Sequence, residues 1–389
     1  MARVVGIICE YNPFHLGHKY QIDEIKREVP DAKIVAIMSG NATQRASLAI
    51  FEKHKRAEAA LNLGADLVLE LPFPYSSSCA EIFAEGGVSI AEKIGCDYLY
   101  FGTEKAKVSD LYDACDVLAS PEFEVRIREH LQNKHESYIT AREKALSDLG
   151  FSVKLEANDM LALEYVRAIK KMGAKIEPRA IKRIGNGYND TSVGEFMSAS
   201  GIREKYQNDG EFLSVPESAR EQYYALASEG KILDFDAFNA LLYRHALLCE
   251  QSELEGAFDS TPELASLIKN AVVNSKNADE FLQALSSKAF TRARILRVLL
   301  YSIFNVKSIE RELNYTRLLG ANEGGKEILK NAKKSRLCVI TKHSDSRTLS
   351  EKEKEALSID YALDMLYLSL QKSPDAPSEA YKKMPILKN

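Results

Sequence analysis

Residues 4–18 read VVGIICEYNPFHLGH, a short apolar run that leads through a polar loop into the start of a helix. The run Val4–Glu10 has the length and composition of a buried parallel strand. Helical periodicity follows over Leu16–Val29. His15 and His18 are three residues apart at the start of this helix, so both side chains face the same side of it.

This strand, loop and helix start predict a nucleotide site. The amino terminus of a helix binds phosphate because free N–H groups and the helix dipole both point at the anion, and two imidazoles can add donors. Gly17 lies between the histidines, where a missing side chain lets another group approach the backbone. Two alternatives stay open: a pair of capping histidines, and a zinc site, although no third ligand follows at useful spacing.

Two common phosphate-binding patterns are absent from the sequence. There is no G-x-x-x-x-G-K-[ST] loop, and no G-x-G-x-x-G follows the first strand. Their absence disfavours most kinases, GTPases and dinucleotide-dependent dehydrogenases.

Beyond this loop, strands and helices alternate along the first half of the chain. Further strands are predicted at Lys33–Met38, Asp66–Leu71, Asp97–Phe101 and Lys175–Ile184, and further helices at Phe51–Leu63 and Cys79–Ile94. This order predicts an α/β fold with a doubly wound parallel sheet. Such sheets bind ligands at the carboxyl ends of their strands, near a topological switch point.

The second half of the chain has a different pattern. After Val215 the sequence predicts almost only helices, with a lone late strand at 339–341. A length of 389 residues also fits more than one domain. We therefore predict a catalytic nucleotide-binding domain over residues 1–212 and a mainly helical domain over residues 213–389.

Positive charge is concentrated late in the sequence. The window from Lys288 to Lys342 holds thirteen positive and four negative side chains, a net charge of +9, whereas the whole chain carries −4. A basic block in an acidic protein is typical of a site for a polyanion. The alternative is an ordinary solvated helix face.

Composition limits the class of protein. Apolar residues make up 45 % and charged residues 28 %, as in a globular chain, and no apolar run has the length of a membrane span. The six cysteines are scattered without a C-x-x-C pair, which disfavours zinc ribbons and disulfide scaffolds and favours a reducing cytoplasm. The amino terminus lacks the pattern of a signal peptide.

The segment His15–His18 resembles the H-x-G-H motif of the nucleotidyltransferase superfamily, whose fold is a variant of the Rossmann fold. Longer stretches resemble the bacterial tRNA(Met) cytidine acetate ligase family. They are GIICEYNPFHLGH at 6–18, MSGN at 38–41 with Gln44 and Arg45, GADLVLELP at 64–72, FGTE at 101–104, IKRIG at 181–185 with Gly187 and Tyr188, SASGIR at 198–203 and FTRAR at 290–294. The sequence departs from the family pattern at Ala42, Thr43, Ala46 and Ser47, which replace an apolar pair, a glycine and an acid.

The resemblance implies an ATP-dependent ligase. Such an enzyme activates acetate as acetyl-AMP, releases pyrophosphate and passes the acetyl group to N4 of the wobble cytidine of elongator tRNA(Met). ATP is expected as a substrate, with Mg²⁺ beside it. The resemblance assigns ATP and catalysis to the first domain and tRNA to the helical one. Neither DNA nor a membrane is expected as a partner.

The same resemblance implies roles for individual residues. His18 would lie near the α-phosphate and His15 near the outer phosphates, as the catalytic pair. The ATP cradle would comprise Gly6, Ile7, Ile8, Cys9, Glu10, Tyr11, Asn12, Pro13, Phe14, His15, Leu16, Gly17, His18, Lys19 and Tyr20, together with Gly102, Asn158, Arg183, Ile184, Ser198, Ser200 and Arg203. Acetate or tRNA would contact Asn41, Gln44, Arg45, Arg292, Arg294, Lys333 and Lys334. No metal ligand is assigned.

Several of these residues also have plain structural interpretations. Gly102 could be a turn glycine, Asn158 and the serines helix caps, and Arg183 a surface side chain. Two other functions compete with the ligase. One is a small-molecule nucleotidyltransferase, which needs no basic block, and the other is an RNA-binding protein with a degenerate nucleotide site.

Overall fold

The structure is a computed structural model, and it describes residues 2–132, 138–184, 196–287, 289–332 and 336–388. Eight strands are present in this part of the chain. They are β1 (Val4–Cys9), β2 (Lys33–Ser39), β3 (Leu67–Leu71), β4 (Tyr98–Thr103), β5 (Glu177–Lys182), β6 (Tyr315–Ala321), β7 (Cys338–Ile340) and β8 (Ile386–Leu387). All eight join one sheet in the order β5-β4-β1-β2-β3-β6-β7, with β8 also paired to β6.

Helices surround this sheet and continue beyond it. Those of the first half are α1 (Leu16–Glu28), α2 (Lys53–Asn62), α3 (Ala80–Ile94), α4 (Val108–Leu118), α5 (Pro121–Leu131), α6 (Tyr138–Asp148), α7 (Ala157–Met172) and α8 (Ala199–Asp209). The second half adds α9 (Glu217–Ser228), α10 (Phe235–Leu248), α11 (Gln251–Glu255), α12 (Pro262–Val273), α13 (Ala278–Ala284), α14 (Arg292–Ile303), α15 (Glu323–Ala332) and α16 (Glu351–Ser369).

The α/β prediction is confirmed. Strands β5, β4, β1, β2 and β3 are parallel neighbours, and the order reverses at β1, whose two neighbours are β2 and β4. Both faces are covered, because Val35 and Ile37 of β2 join one hydrophobic core while Ile34, Ala36 and Met38 join another. Burial on both faces explains why these strands read as continuous apolar runs. The switch point places the carboxyl ends of β1 and β4 side by side.

The structure corrects the interpretation of the second half as almost entirely helical. Strand β6 pairs antiparallel with β3, so the sheet is mixed, and every residue of β6 is buried. This strand is hard to predict because Arg317 interrupts its apolar run and its partner lies some 250 positions earlier. The domain boundary between residues 212 and 213 stays a prediction. Strands β6, β7 and β8, which follow this boundary, belong to the same sheet as β1–β5, which precede it.

A buried group of charged side chains joins the two halves. The Lys53 ammonium donates to both carboxylate oxygens of Glu70, at 2.7 and 2.9 Å, and lies 2.7 Å from Asp364. The Arg317 guanidinium donates to Asp364 at 2.6 Å and to Asp360 at 3.2 Å. With three carboxylates and two cations, the group is balanced by one proton. Burial and the charge of Asp360 raise the pKa of Glu70 to about 8.

A third hydrophobic core lies in the helical part and includes Leu233, between α9 and α10, and Tyr301 on α14. This core also contains Ala42, Ala46 and Leu48 from the loop after β2. The shape of that loop therefore depends on both halves of the chain. Within the described ranges, none of the helices combines the length and the apolar character that crossing a membrane requires.

Candidate active site

Three helix amino termini meet at the carboxyl end of the sheet. One cavity there is bordered by His15 and His18 of α1, Asn158 of α7 and Ser200 of α8. A second, adjoining cavity shares His15, His18, Arg183 and Ser198 with the first. Because the positive ends of three helix dipoles face the same space, this arrangement favours a ligand with several negative charges.

The two histidines form a reciprocal cap at the start of α1. The Nδ1 atom of His15 accepts from the backbone N–H of Gly17 at 3.0 Å, and Nδ1 of His18 accepts from the backbone N–H of His15 at 3.2 Å. The rings stack, with centroids 3.7 Å apart. The capping interpretation is thus confirmed, and the caps determine which ring nitrogen carries the proton. A neutral imidazole that accepts at Nδ1 carries its proton at Nε2, which makes Nε2–H the donor available to a ligand.

Both imidazoles are neutral near pH 7. Burial, followed by the charges of Arg183 and Arg203, lowers the pKa of His15 to about 3. Burial, followed by His15 and Arg183, lowers the pKa of His18 well below its ordinary value. The pair therefore presents neutral rings, and not fixed cations, to the cavity.

The low pKa of His15 gives an expected pH dependence of stability. As pH falls through about 6.5, the unfolded chain binds a proton at this imidazole, whereas the folded chain stays neutral down to about 3. The contribution of His15 to the free energy of unfolding is therefore fully present above about pH 6.5 and is lost as pH falls from there towards 3. The His15 contribution to the free energy of unfolding should be about 2 kcal/mol smaller at pH 5 than at pH 8. Urea unfolding at several pH values measures this.

The matched variant for that measurement is His15→Asn, whose side-chain oxygen can replace Nδ1 as the cap but does not titrate. Its stability should fall less steeply with acidification than that of the wild type. His130→Gln, which removes a surface imidazole paired with Asp148, serves as the control and should follow the wild type. Parallel curves for wild type and His15→Asn would contradict the buried neutral state.

Gly17 is required at its position by His15. A Cβ atom on Gly17 would lie 2.9 Å from Cε1 and 3.1 Å from Nδ1 of that ring, closer than side-chain atoms normally approach. The backbone of Gly17 does not have a positive φ, so only this contact opposes a side chain. Gly17→Ala is therefore expected to displace His15 from its stack with His18 while leaving the fold intact.

A displacement of about 1 Å can reduce catalysis by roughly 10²-fold, and this is the loss expected for ATP–pyrophosphate exchange in Gly17→Ala. The free energy of unfolding should change by less than about 1 kcal/mol. Gly256→Ala, the same change in the helical part, should leave exchange unchanged. Normal exchange in Gly17→Ala would show that the stacked pair has no part in the reaction.

Arg203 and Arg56 both donate hydrogen bonds to backbone carbonyls of the loop after β1. The Arg203 guanidinium donates to the carbonyl of Asn12 at 2.6 Å. Arg56, fully buried, donates to the carbonyls of Glu10 at 2.6 Å and Phe51 at 3.0 Å, and also to that of Gly40. Sequence analysis missed Arg56, because nothing in the pattern of α2 distinguishes it from the surface cations around it.

The starts of α7 and α8 are fixed by side-chain caps. Glu104, just after β4, accepts from the backbone N–H groups of Asn158 and Asp159, both at 3.1 Å, and also from the Asn158 amide. The Ser198 hydroxyl accepts from the backbone N–H of Gly201 at 3.1 Å and caps α8. The predicted capping role is confirmed for Ser198 but not for Asn158 or Ser200, which are the second residues of α7 and α8. Asn158 and Ser200 both lie on the wall of the first cavity.

Gly102 lies against Arg183 at the opening of the second cavity. A Cβ on Gly102 would be 3.0 Å from Cγ of Arg183, so the missing side chain makes room for this arginine. Arg183 and Ile184 are exposed, and both border that cavity. The family stretch at 185–188 lies outside the described residues.

Not every predicted ATP residue borders a cavity. From the segment 6–20, the bordering residues are Ile8, Cys9, Glu10, Tyr11, Asn12, His15, Gly17, His18 and Tyr20. The others pack within the fold or lie on α1: Gly6, Ile7, Pro13, Phe14, Leu16 and Lys19. Ile7 and Phe14, for example, are buried in the core on one face of the sheet.

Of the residues predicted to meet acetate, the structure brings Gln44 and Arg45 to the first cavity but not Asn41. The Asn41 amide donates to Asp364 at 2.8 Å and its oxygen accepts from the backbone N–H of Lys53 at 2.9 Å. It is 1 % exposed, so it joins the halves of the chain and does not face the ligand space.

The loop that departs from the family pattern keeps a tight turn. The backbone N–H of Thr43 donates to the carbonyl of Ser47 at 2.9 Å, and their hydroxyls are 2.9 Å apart. Ala46 has a φ of 56°, in the left-handed region that favours the glycine of the family pattern. Thr43 and Ser47 both border the first cavity.

Sequence analysis also missed cavity residues on α7. Leu161 and Tyr165 border the first cavity with Asn158, three and seven residues after it on the same helix. Their helical spacing from Asn158 was the available signal. Phe196 and Met197, just before α8, border the second cavity and gave no such signal.

The predicted tRNA residues that the structure describes, Arg292 and Arg294, both bond to backbone carbonyls of the protein. Arg292 donates to the carbonyl of Leu282 at 2.9 Å, and Arg294 donates to the carbonyl of Asp259 at 3.0 and 3.1 Å. Arg297 and Arg317 of the same block are buried in ion pairs, which lowers the surface charge below the value counted from the sequence. Lys333 and Lys334 lie outside the described residues, as does Lys288.

Comparison with known proteins assigns the family. The model of the HIGH nucleotidyl transferase family matches residues 2–382. A tRNA(Met) cytidine acetate ligase of Fusobacterium nucleatum is 32 % identical over 94 % of this chain and 95 % of its own length. The chain belongs to the family of tRNA(Met) cytidine acetate ligases, within the HIGH nucleotidyl transferases.

Further members are similar over nearly the whole chain. The ligase of a Thermoanaerobacter species is 35 % identical over 95 % of this chain and 96 % of its own. The crystal structure of apo TmcAL from Thermotoga maritima matches with a TM-score of 0.93 at 28 % identity, covering 99 % of both chains. A second crystal structure of that protein, bound with alpha-thio ATP, matches with a TM-score of 0.89 over the same shares.

Proposed function

We propose that this protein is an ATP-dependent ligase that converts acetate to acetyl-AMP and transfers the acetyl group to N4 of the wobble cytidine of elongator tRNA(Met). The observation that carries the proposal is the cavity where three helix amino termini meet two imidazoles with Nε2–H donors. That geometry supports a bound polyphosphate, and membership of the ligase family supplies the reaction.

In this proposal the adenine ring and the phosphates of ATP occupy different cavities. The second one has Ile184, Phe196 and Met197 on its wall, an apolar surface suited to the adenine ring. The first has Arg203, Ser200 and the amino termini of α7 and α8, which suit the phosphates. His15 and His18 border both cavities, so they would lie beside the phosphate chain near its junction with the adenosine.

The first chemical step is an attack by an acetate oxygen on the α-phosphorus. A new P–O bond forms while the bond from the α-phosphorus to the bridging oxygen breaks, and pyrophosphate leaves with that electron pair. Negative charge grows on the α-phosphate oxygens in the transition state, and Nε2–H of His18 would stabilise it. Gln44 and Arg45, at the other side of the first cavity beside Glu10, would orient the acetate carboxylate.

In the second step the N4 amine of cytidine attacks the acetyl carbon of acetyl-AMP. The N–C bond forms, the mixed anhydride C–O bond breaks, AMP leaves, and the amine loses a proton to water. The cytosine must be unstacked to reach the first cavity, as in other enzymes that act on a base. A reactive anhydride makes a dedicated general base on the protein unnecessary.

Mg²⁺ would accompany ATP. The described residues contain no group of three metal-ligating side chains, but Glu10 places a carboxylate on the cavity wall. A Mg²⁺ ion bound to nucleotide takes most of its ligands from phosphates and water, with one or two carboxylates, so this site fits the ion. The ion would neutralise phosphate charge.

The test is exchange of labelled pyrophosphate into ATP. Exchange that depends on acetate supports the proposal. Exchange that ignores acetate but depends on one of a panel of phosphorylated metabolites would replace it with the small-molecule nucleotidyltransferase. No exchange with any substrate, in protein that binds RNA, would favour the non-catalytic RNA-binding alternative.

A further inference from the structure

An aromatic cluster lies on the surface of the last hundred residues. The rings of Tyr361 and Tyr381 stack with centroids 4.8 Å apart, and the ring of His343 stands against both, at 5.0 and 4.9 Å. Tyr361 comes from α16, whereas His343 and Tyr381 come from short 3₁₀ helices at His343–Thr348 and Pro377–Tyr381. We call these three residues the aromatic platform.

The platform is open to solvent on its outer side. Tyr361 is buried, but His343 is exposed and Tyr381 is 42 % exposed. Met384, three residues after Tyr381, is also exposed. Exposed aromatic rings packed against each other in this way leave a flat face on which a planar group can stack.

Positive charge surrounds the platform. Lys342 and Arg347 lie on the segment that carries His343, and Lys382 and Lys383 follow Tyr381 directly; Lys342, Arg347 and Lys382 are exposed. The carboxylates on the same two segments have local partners, because Asp345 accepts from Thr341 and Glu379 pairs with Lys382. On these two segments four cations outnumber the two carboxylates, and this excess of positive charge complements an anion.

A chain of contacts connects the platform with the candidate active site. The Arg317 guanidinium lies 4.2 Å from the ring centre of Tyr361 and donates to Asp364, which accepts from Asn41 at 2.8 Å. Asn41 begins the loop whose residues Thr43 and Ser47 border the first cavity. The loop at the first cavity is thus linked to the platform through Arg317, Asp364 and Asn41.

We propose that the aromatic platform stacks an unpaired nucleotide of the RNA substrate, while Lys342, Arg347 and Lys383 meet its neighbouring phosphates. Aromatic rings edged by cations are the usual means of binding single-stranded RNA, because every base has a face to stack. This inference rests on the proposed function for the existence of an RNA substrate. It adds an RNA contact at a surface that the sequence did not indicate, while the predicted contacts of Arg292 and Arg294 with tRNA stay predictions.

The first test compares Tyr381→Ala with Tyr381→Phe in acetylation of a tRNA(Met) transcript. Loss of one stacked base should raise KM for tRNA about 10- to 100-fold in Tyr381→Ala, while Tyr381→Phe stays near the wild type. Acetate-dependent pyrophosphate exchange without tRNA should be unchanged in both, which separates a lost RNA contact from a damaged fold. His343→Ala, at an exposed ring, provides a second variant should Tyr381→Ala fold poorly.

The second test measures tRNA affinity against salt concentration. Lys383→Gln should reduce the slope of log affinity against log salt by about 0.7, whereas the control Arg128→Gln, which removes a side chain 76 % exposed on α5, should not change it. If wild-type protein acetylates tRNA and the platform variants match it in KM and slope, the platform inference is wrong and the proposed function stands. If the wild type neither binds nor acetylates tRNA, the proposed function itself fails.

Discussion

His18→Ala is expected to lower acetate-dependent pyrophosphate exchange by roughly 10²–10³-fold, the loss seen when one donor to a transition-state oxyanion is removed. The reason is the tautomer fixed by the structure: Nδ1 of His18 accepts from the backbone, so Nε2–H is its donor. The initial rate of exchange at saturating ATP and acetate measures this loss. His130→Ala, at a surface histidine, should retain wild-type exchange.

Two further substitutions separate donation from capping at this position. In His18→Asn the amide can occupy the place of Nδ1 and keep the cap, but no N–H reaches the place of Nε2. In His18→Gln the longer amide can offer an N–H there and loses the cap. If donation matters, exchange should be higher in His18→Gln than in His18→Asn. The reverse order would assign His18 a structural role alone.

Lys53→Met is expected to lower the free energy of unfolding by about 3–5 kcal/mol, the cost of leaving buried charges without their partner. Lys53 is fully buried, and its ammonium contacts Glu70 from β3 and Asp364 from α16. Its removal leaves three carboxylates facing Arg317 alone. Urea unfolding, followed by circular dichroism, measures the change.

The matched control is Lys55→Met, two residues along the same helix. Lys55 is 45 % exposed and pairs with Glu58 at 3.4 Å, an arrangement that contributes little. It should change stability by less than about 0.5 kcal/mol. Equal and small effects in both variants would show that the buried charges do not hold the two halves together.

The first half of the fold could be predicted from sequence because local pattern and tertiary environment agree there. Strand β1 and helix α1 begin at the predicted residues, Val4 and Leu16. Strands covered on both faces have apolar residues at every position, so each stands out as a continuous run. The parallel order followed from the alternation of strand and helix.

Strand β6 could not be predicted in the same way. Its pairing with β3 depends on residues far apart in sequence, and the side chain of Arg317 within it looks out of place in a buried strand until Asp360 and Asp364 are known to lie opposite. A charge that is neutralised only in the folded state gives a misleading signal in the sequence. For the same reason, the surface charge of the basic block was overestimated from the sequence.

The candidate site shows a similar division. Short-range geometry, namely two histidines at i and i+3 around a glycine, follows from the sequence and is present in the structure. The convergence of α1, α7 and α8 requires the order of the strands and could not be read from any one segment. The roles of the individual residues toward ATP, acetate and tRNA stay predictions.

The central claim is acetyl transfer from acetate to a cytidine of tRNA(Met), and one measurement tests it most directly. Purified protein is incubated with ATP, carboxyl-labelled acetate and a tRNA(Met) transcript, and the tRNA is digested to nucleosides. We expect label in N4-acetylcytidine that depends on ATP and is lost when the wobble cytidine is replaced by uridine. Labelled acetyl-AMP without labelled nucleoside, or label that persists in the uridine transcript, would contradict it.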